Sequence, residues 1–157
     1  MNKISKLTIS VITCLLAGSI GSFFTTPSIR TWYATIQRPA LAPPNWIFGP
    51  VWTVLYVLMA VSAFLIWEKG IKKVEVKTSL YVFGIQLALN SLWSILFFGM
   101  HSPVLAFIEI IALWLAILLT IVKFYRLSTT AAYLLLPYLI WVSFAAFLNF
   151  SFWILNR

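Results

Sequence analysis

The side chains of this sequence that can do chemistry are few, and most of them are aromatic. The 157 residues include eight tryptophans, six tyrosines and 13 phenylalanines, but only one histidine, one cysteine, three glutamates and no aspartate. Proton transfer or a covalent intermediate needs a nucleophile beside a base, or two carboxylates held close together. Glu68, Glu75 and Glu109 are scattered, His101 stands alone beside Met100, and Cys14 lies within an apolar run. Neither arrangement is available, and there is no disulfide partner and no metal-ligand spacing. What remains is indole and amide: Trp52, Trp93 and Trp141 with Gln86, Asn90 and Asn149. Aromatic faces hold flat apolar rings, a few polar groups orient them, and if any chemistry occurs indole must carry it.

These side chains must be positioned by a scaffold inside a membrane. Hydrophobic residues make up 62% of the chain and charged residues 9%, with a mean hydropathy of +1.01, more apolar surface than a soluble domain of this length can hide. Five stretches can each cross about 30 Å of hydrocarbon as a helix: residues 7–25, 46–67, 80–98, 103–124 and 130–153. The expected fold is all-α, an integral membrane bundle of five transmembrane helices forming one domain over residues 1–157. The first stretch reads as a retained helix, because its apolar run exceeds a usual signal core and no A-x-A site closes it. Pro50 and Pro103 fall in the first turns of the second and fourth spans, where proline is tolerated. Residues 26–45 contain Pro27, Pro39, Pro43 and Pro44 with Trp32 and Tyr33, and read as an ordered lid rather than a slack linker.

Basic residues set the orientation. Lys3, Lys6, Lys69, Lys72, Lys73, Lys77, Lys123 and Arg126 fall on one face, and Arg30, Arg38 and Arg157 on the other. The positive-inside rule predicts a cytoplasmic N-terminus and an outer lid. The net charge of +8 therefore points to the membrane surface and not to nucleic acid.

Depth then separates the tryptophans. At 1.5 Å per residue, Trp52 and Trp93 lie about 9 Å below the lid face, Trp114 about 16 Å and Trp141 about 18 Å. Trp46, Trp67 and Trp153 stand at span ends, as interfacial anchors do. Asn149, Glu109 and Asn90 lie about 6, 9 and 13 Å down by the same rise, with Gln86 deeper. Gln86, Asn90, Trp93 and Phe97 share one helical stripe, as do Trp52 with Tyr56, and Tyr138, Trp141, Ala145 and Asn149. Two readings stay open for these groups. The amides line a pocket or are interhelical glue contributing about 1 kcal/mol each, and Trp93 and Trp141 line it or pack the core. Glu109 reads as the partner of another buried polar group, and His101 as a solvated loop residue. Small pairs, Gly84 with Ala88 and Ala17 with Gly21, offer close helix approach and a homodimer contact.

The string from Pro43 to Tyr56, Pro-Pro-Asn-Trp-Ile-Phe-Gly-Pro-Val-Trp-Thr-Val-Leu-Tyr, resembles the signature of the tryptophan-rich sensory protein (TspO) family, whose animal members are the translocator protein or peripheral-type benzodiazepine receptor. Gln86-Leu87-Ala88-Leu89-Asn90-Ser91-Leu92-Trp93 with Phe97-Phe98-Gly99, and Pro137-Tyr138-Leu139-Ile140-Trp141 running to Leu148-Asn149, agree with it. The resemblance covers nearly the whole chain and is to a bacterial member, which implies the bacterial cell membrane as location. It implies a compact five-helix bundle, dimerisation through the third helix, and a pocket under the first long loop for porphyrins such as protoporphyrin IX and for benzodiazepine-site drugs. Matched motif by motif, the ligand-binding positions would be Tyr33, Phe48, Trp52, Asn90, Trp93, Trp141, Ala145 and Leu148. Animal members also bind cholesterol around a tyrosine late in the fifth helix. Here the matching stretch, Asn149 to Arg157, has phenylalanines and no tyrosine, so cholesterol is not carried over.

Three functions compete. One is a porphyrin-binding sensor or regulator without an obligatory cofactor. A second is light- and oxygen-dependent porphyrin degradation, which the resemblance implies for some bacterial members, with Trp52 and Trp141 as the reacting candidates. The third is a transporter of porphyrin or lipid, disfavoured because the chain shows no internal repeat and no interrupted mid-membrane helix.

Overall fold

The computed structural model describes residues 2–157. The helices are α1 (Lys3–Arg30), α2 (Trp32–Thr35), α3 (Phe48–Trp67), α4 (Val74–Ser94), α5 (Pro103–Tyr125), α6 (Thr129–Tyr133) and α7 (Leu136–Leu155). A 3-10 turn, Asn45–Ile47, leads into α3, and a π-helical turn, Ile95–Gly99, extends α4. Five segments are long and apolar enough to cross a membrane: α1, α3 with its 3-10 turn, α4 with its π turn, α5, and α6 with α7. The chain is an integral membrane protein of all-α architecture with membrane lipid around it.

Inside a bilayer both sides of a helix can be apolar, so its inward face is marked by small and polar residues as much as by large ones. On α1 the buried stripe is Ser10, Cys14, Ala17 and Gly21, while Leu16, Ile20 and Phe23 face outward. On α5 Ala106, Ile110, Leu113 and Ile117 turn inward and Ile108, Leu115 and Leu119 turn out. Around the bundle, α1 packs on both α3 and α4, α4 on α5, and α5 on α7. Aromatic pairs close the ring between α3 and α7: Phe48 with Trp141 at 6.2 Å and Trp52 with Tyr138 at 6.1 Å between ring centres.

Three glycines show how α1 crosses its neighbours. A Cβ on Gly18 would lie 2.6 Å from the Tyr56 ring on α3, one on Gly21 would lie 3.0 Å from Ser94 Oγ on α4, and one on Gly99 would lie 2.8 Å from the Phe24 ring. Ascending toward the lid, α1 thus leans from α3 onto α4.

Several boundaries differ from the sequence reading: α1 begins at Lys3 and α4 at Val74, ahead of the apolar runs that mark their spans, and two further differences shape the lid and the fifth span. Residues 26–30 continue α1 rather than opening the lid loop, and Pro27 lies inside the helix. Pro27 deprives only the Phe23 carbonyl of its helical donor, and the flanking hydroxyls add bonds of their own: Thr31 Oγ1 donates to the Pro27 carbonyl at 3.0 Å and Thr25 Oγ1 to that of Gly21 at 2.9 Å. The fifth span is broken at Leu134 and Leu135, where the ring of Pro137 collides with any continuous helix through the Tyr133 carbonyl. This break is near the basic face, not at mid-membrane.

Of the small-residue pairs, Ala17 and Gly21 are buried inside the bundle and are not available to a second copy. Gly84 and Ala88 lie exposed on the outer face of α4, and a Cβ on Gly84 would meet nothing within 4 Å.

Candidate functional site

A cavity of about 630 Å³ lies in the lid-side half of the bundle, bounded by α1, α3, α4, α7 and the lid. Its aromatic wall comes from Phe48 and Trp52 on α3, Trp93 on α4, and Trp141 with Ala145 and Leu148 on α7. Asn90 forms part of its lower boundary and Tyr33 comes down from the lid. The eight positions singled out in the sequence therefore converge on one space. They do so because the stripes of α3, α4 and α7 each turn the same face to the ring's centre.

Each indole is held differently. Trp93 Nε1 donates to Asn149 Oδ1 at 2.9 Å, Asn149 Nδ2 donates to the Pro103 carbonyl at 2.7 Å, and Phe97 stacks on the Trp93 ring at 5.2 Å. Asn149 is thus the glue that ties α4, α7 and the start of α5 together. Among the described residues, the Nε1 groups of Trp52 and Trp141 donate to no protein acceptor, and both rings are half-buried. Trp114, equally deep by sequence, is elsewhere: its Nε1 donates to Ser143 Oγ at 2.8 Å across the α5–α7 seam.

Below the wall is a polar floor. Tyr56 Oη donates to Asn90 Oδ1, and Asn90 Nδ2 donates to Tyr138 Oη at 3.0 Å. All three are buried, so the amide satisfies two phenols that would each cost about 1–3 kcal/mol if left unpaired. Gln86 lies deeper, its Nε2 against Met59 Sδ at 4.0 Å. Its Oε1 has no partner among the described residues. The partner expected for Glu109 is not there either: both carboxyl oxygens are buried without a hydrogen bond among the described residues.

The lid is tied down at several points. Tyr33 inserts among Phe97, Phe98 and Phe152, with ring centres 6.4, 5.7 and 5.3 Å away. The π turn makes this nest, since its widened backbone turns both Phe97 and Phe98 inward. Burial pushes the Tyr33 hydroxyl above its usual range, against the pull of the Arg38 charge. The Arg38 guanidinium lies 5.1 Å from the centre of the Tyr33 ring and donates to the Pro43 carbonyl at 3.0 Å. Exposed His101, at φ 53°, stacks on Trp32 at 4.7 Å, so it is a lid contact rather than a bare loop residue. Asn156 makes a double bridge to the lid backbone: its Oδ1 accepts from Gln37 N at 2.8 Å and its Nδ2 donates to Gln37 O at 3.0 Å.

Sequence reasoning missed the contribution of α1. Gly18, Ser22 and Thr25 line the cavity but carry neither a ring nor a deep amide. The available signal was the run of small residues at helical spacing, Gly18, Ser22 and Thr25, facing the aromatic stripes.

Residues 10–154 match the sequence profile of the TspO/MBR family. A tryptophan-rich protein TspO of Archaeoglobus fulgidus is 47% identical over 155 residues, covering 98% of this chain and 99% of its own. The translocator protein of Homo sapiens is 38% identical over 137 residues, 85% of this chain and 80% of its own. A tryptophan-rich sensory protein of Cereibacter sphaeroides is 36% identical over 126 residues, 80% and 77% respectively.

Proposed function

Because the chain belongs to the TspO/MBR family, we propose that its cavity binds porphyrins such as protoporphyrin IX, and flat drug-like molecules, as the input of a membrane sensor or regulator. The observation that carries this reading is the convergence of Trp52, Trp93 and Trp141 on one space of about 630 Å³. That volume is within the range of ligand pockets, about 300–1,000 Å³, and its lining is the usual mix of apolar walls and a few polar groups. The ring lies among the three indoles, and its propionates point up to the lid face, where Arg30 is exposed and Arg38 keeps donors beyond the one given to Pro43. Protoporphyrin IX is ligand or substrate here, not a resident cofactor. Titrating the reconstituted protein with protoporphyrin IX should quench tryptophan fluorescence saturably, at one ligand per chain. A linear, unsaturable loss of signal would assign the cavity to some other molecule.

Light- and oxygen-dependent degradation of the bound ring is part of the same proposal, with Trp52 and Trp141 as the reacting side chains. Their free Nε1 groups and cavity-facing rings support that choice over Trp93, whose indole is held by Asn149. Passage of the ligand across the membrane is the weaker reading, because the Tyr56–Asn90–Tyr138 floor leaves the cavity blind at its lower end.

In the membrane, we place the N-terminus in the cytoplasm and the lid outside, from the distribution of basic residues. An impermeant thiol reagent added to intact cells should then modify a cysteine at exposed Leu41 and spare one at exposed Lys72; the reverse pattern inverts the assignment. A homodimer through Gly84 and Ala88 completes the proposal, since these small residues are free on the lipid-facing side of α4.

A further inference from the structure

The cavity is closed below and above but not on one side. Below, Tyr56 lies against Gly18, where even a methyl group would come within 2.6 Å. Above, the lid is bridged to α7 by Asn156 and stacked on the α4–α5 turn by Trp32 and His101. Between these levels α1 leans onto α4, through Gly21 at Ser94 and Phe24 at Gly99, and so draws away from the lid-side half of α3. In that gap the cavity lining runs out to exposed residues on both helices: Ser19 and Ser22 on α1, Gly49 and Thr53 on α3.

The rim differs from the surface around it. The neighbouring exposed positions are large and apolar, Leu16, Ile20 and Phe23 on α1 and Val54 and Val57 on α3. At the rim, apart from Leu15 one turn below Ser19, the side chains are hydrogen or a short hydroxyl. The hydroxyls of Ser19 and Thr53 are folded back on the carbonyls of Leu15 and Gly49, at 2.8 and 2.9 Å, so they face lipid without an unmet hydrogen bond. A Cβ on Gly49 would meet nothing within 4 Å. The rim of small side chains runs along both helices, a slot suited to a plate entering on edge.

We propose that this slot is the ligand entrance: a flat apolar ring system dissolved in the lid-side leaflet passes edge-on between α1 and α3 while the lid stays latched. The ligand class rests on the function proposed above; the route does not. A porphyrin concentrates in the bilayer, and the slot lets its ring travel from one apolar medium to another. Its carboxylates meanwhile stay at headgroup depth, near exposed Arg30 at the lid end of α1.

The test uses the full chain with Cys14→Ala and Ala145→Cys, reconstituted in phosphatidylcholine liposomes. Pyrene maleimide, a flat reagent that dissolves in the bilayer, reports access to position 145. The slot is plugged from either side by Ser22→Trp or Gly49→Phe, so that a folding defect in one leaves the other informative, and the lid is unlatched by Asn156→Ala. Each plug should slow labelling by about tenfold or more. In the same plugs without the cysteine, association and dissociation of protoporphyrin IX should slow together, while Asn156→Ala leaves labelling within about twofold. Unslowed labelling in both plugged proteins overturns the route, as does a large acceleration by Asn156→Ala, which would make the lid the door. Slowed labelling with no protoporphyrin IX binding in the unplugged protein upholds the route and removes the ligand assignment instead.

Discussion

Enlarging Ala145 to Phe should remove most of the affinity proposed for protoporphyrin IX and leave the bundle folded. Ala145 lies one helical turn from Trp141 on the cavity face of α7, half-exposed to the empty space. A phenyl ring there occupies volume that a bound macrocycle needs, but it meets no filled core, so the protein itself loses little. Forcing extra ring atoms into an occupied site costs about 1–3 kcal/mol, which is about 5- to 150-fold in Kd. Ala145→Thr should fall between Phe and wild type. The readout is the fluorescence titration in parallel with a thermal melt: unchanged affinity in a folded Ala145→Phe protein would mean that the ligand lies elsewhere.

The second large effect is on chemistry. Illuminated protoporphyrin passes its excitation to oxygen, and an indole in contact can quench the excited ring or enter an electron-transfer step that opens it. The protein's part is to hold the indole against the ring and to exclude competing reactions. Trp52 lies between Tyr56 and Tyr138, at 5.6 and 6.1 Å, and Trp141 between Phe48 and Phe144, at 6.2 and 5.8 Å. Packing of this kind keeps each ring in one orientation toward the cavity. Phenylalanine at either position preserves an aromatic face but not the ease of oxidation. Trp52→Phe and Trp141→Phe should therefore bind protoporphyrin IX within about threefold of wild type, a change of less than 1 kcal/mol. Light-driven loss of the Soret band should slow by about tenfold or more, the equivalent of 1.4 kcal/mol in barrier. Should both proteins bleach the bound ring at the wild-type rate and to the same products, the indoles are only walls and the regulator reading stands without degradation.

Much of the fold is legible in the sequence, because a bilayer imposes length and depth on a helix. The requirement for about 20 apolar residues per crossing marks the five spans, and the 1.5 Å rise puts Trp52, Trp93 and Asn90 at comparable levels. Residues that act through small size or through backbone were not readable in the same way. Gly18, Gly21 and Gly99 determine the path of α1, yet glycine is equally common in spans where it does nothing. Pro27 looks like a helix end because its own backbone cannot donate, yet the loss of that one bond to the Phe23 carbonyl does not stop the helix before Arg30. Trp114 and Trp141 have similar computed depths, but rotation about the helix axis sends one to the α5–α7 seam and the other to the cavity. Depth alone does not carry that angle. Asn149 and Asn90 had two readings each, and the structure grants both to each: Asn149 ties α4 to α7 and the start of α5, Asn90 bridges two tyrosines, and both border the cavity.

The bridge between Asn156 and Gln37 has a consequence for chemical ageing. Its Nδ2 donates at once to the carbonyls of Gln37 and Phe152, at 3.0 and 2.9 Å, while Oδ1 accepts from Gln37 N. Asparagine is the one side chain of this length that offers a donor and an acceptor side by side. Hydrolysis of its amide, the spontaneous deamidation to which exposed asparagines are prone, replaces that nitrogen with an oxygen and puts a carboxylate against two carbonyl oxygens. A mass change of about one dalton, with no substitution in the gene, would thus turn the fastening of the lid into a repulsion, so that the age of a molecule, and not only its sequence, sets how firmly its cavity is covered.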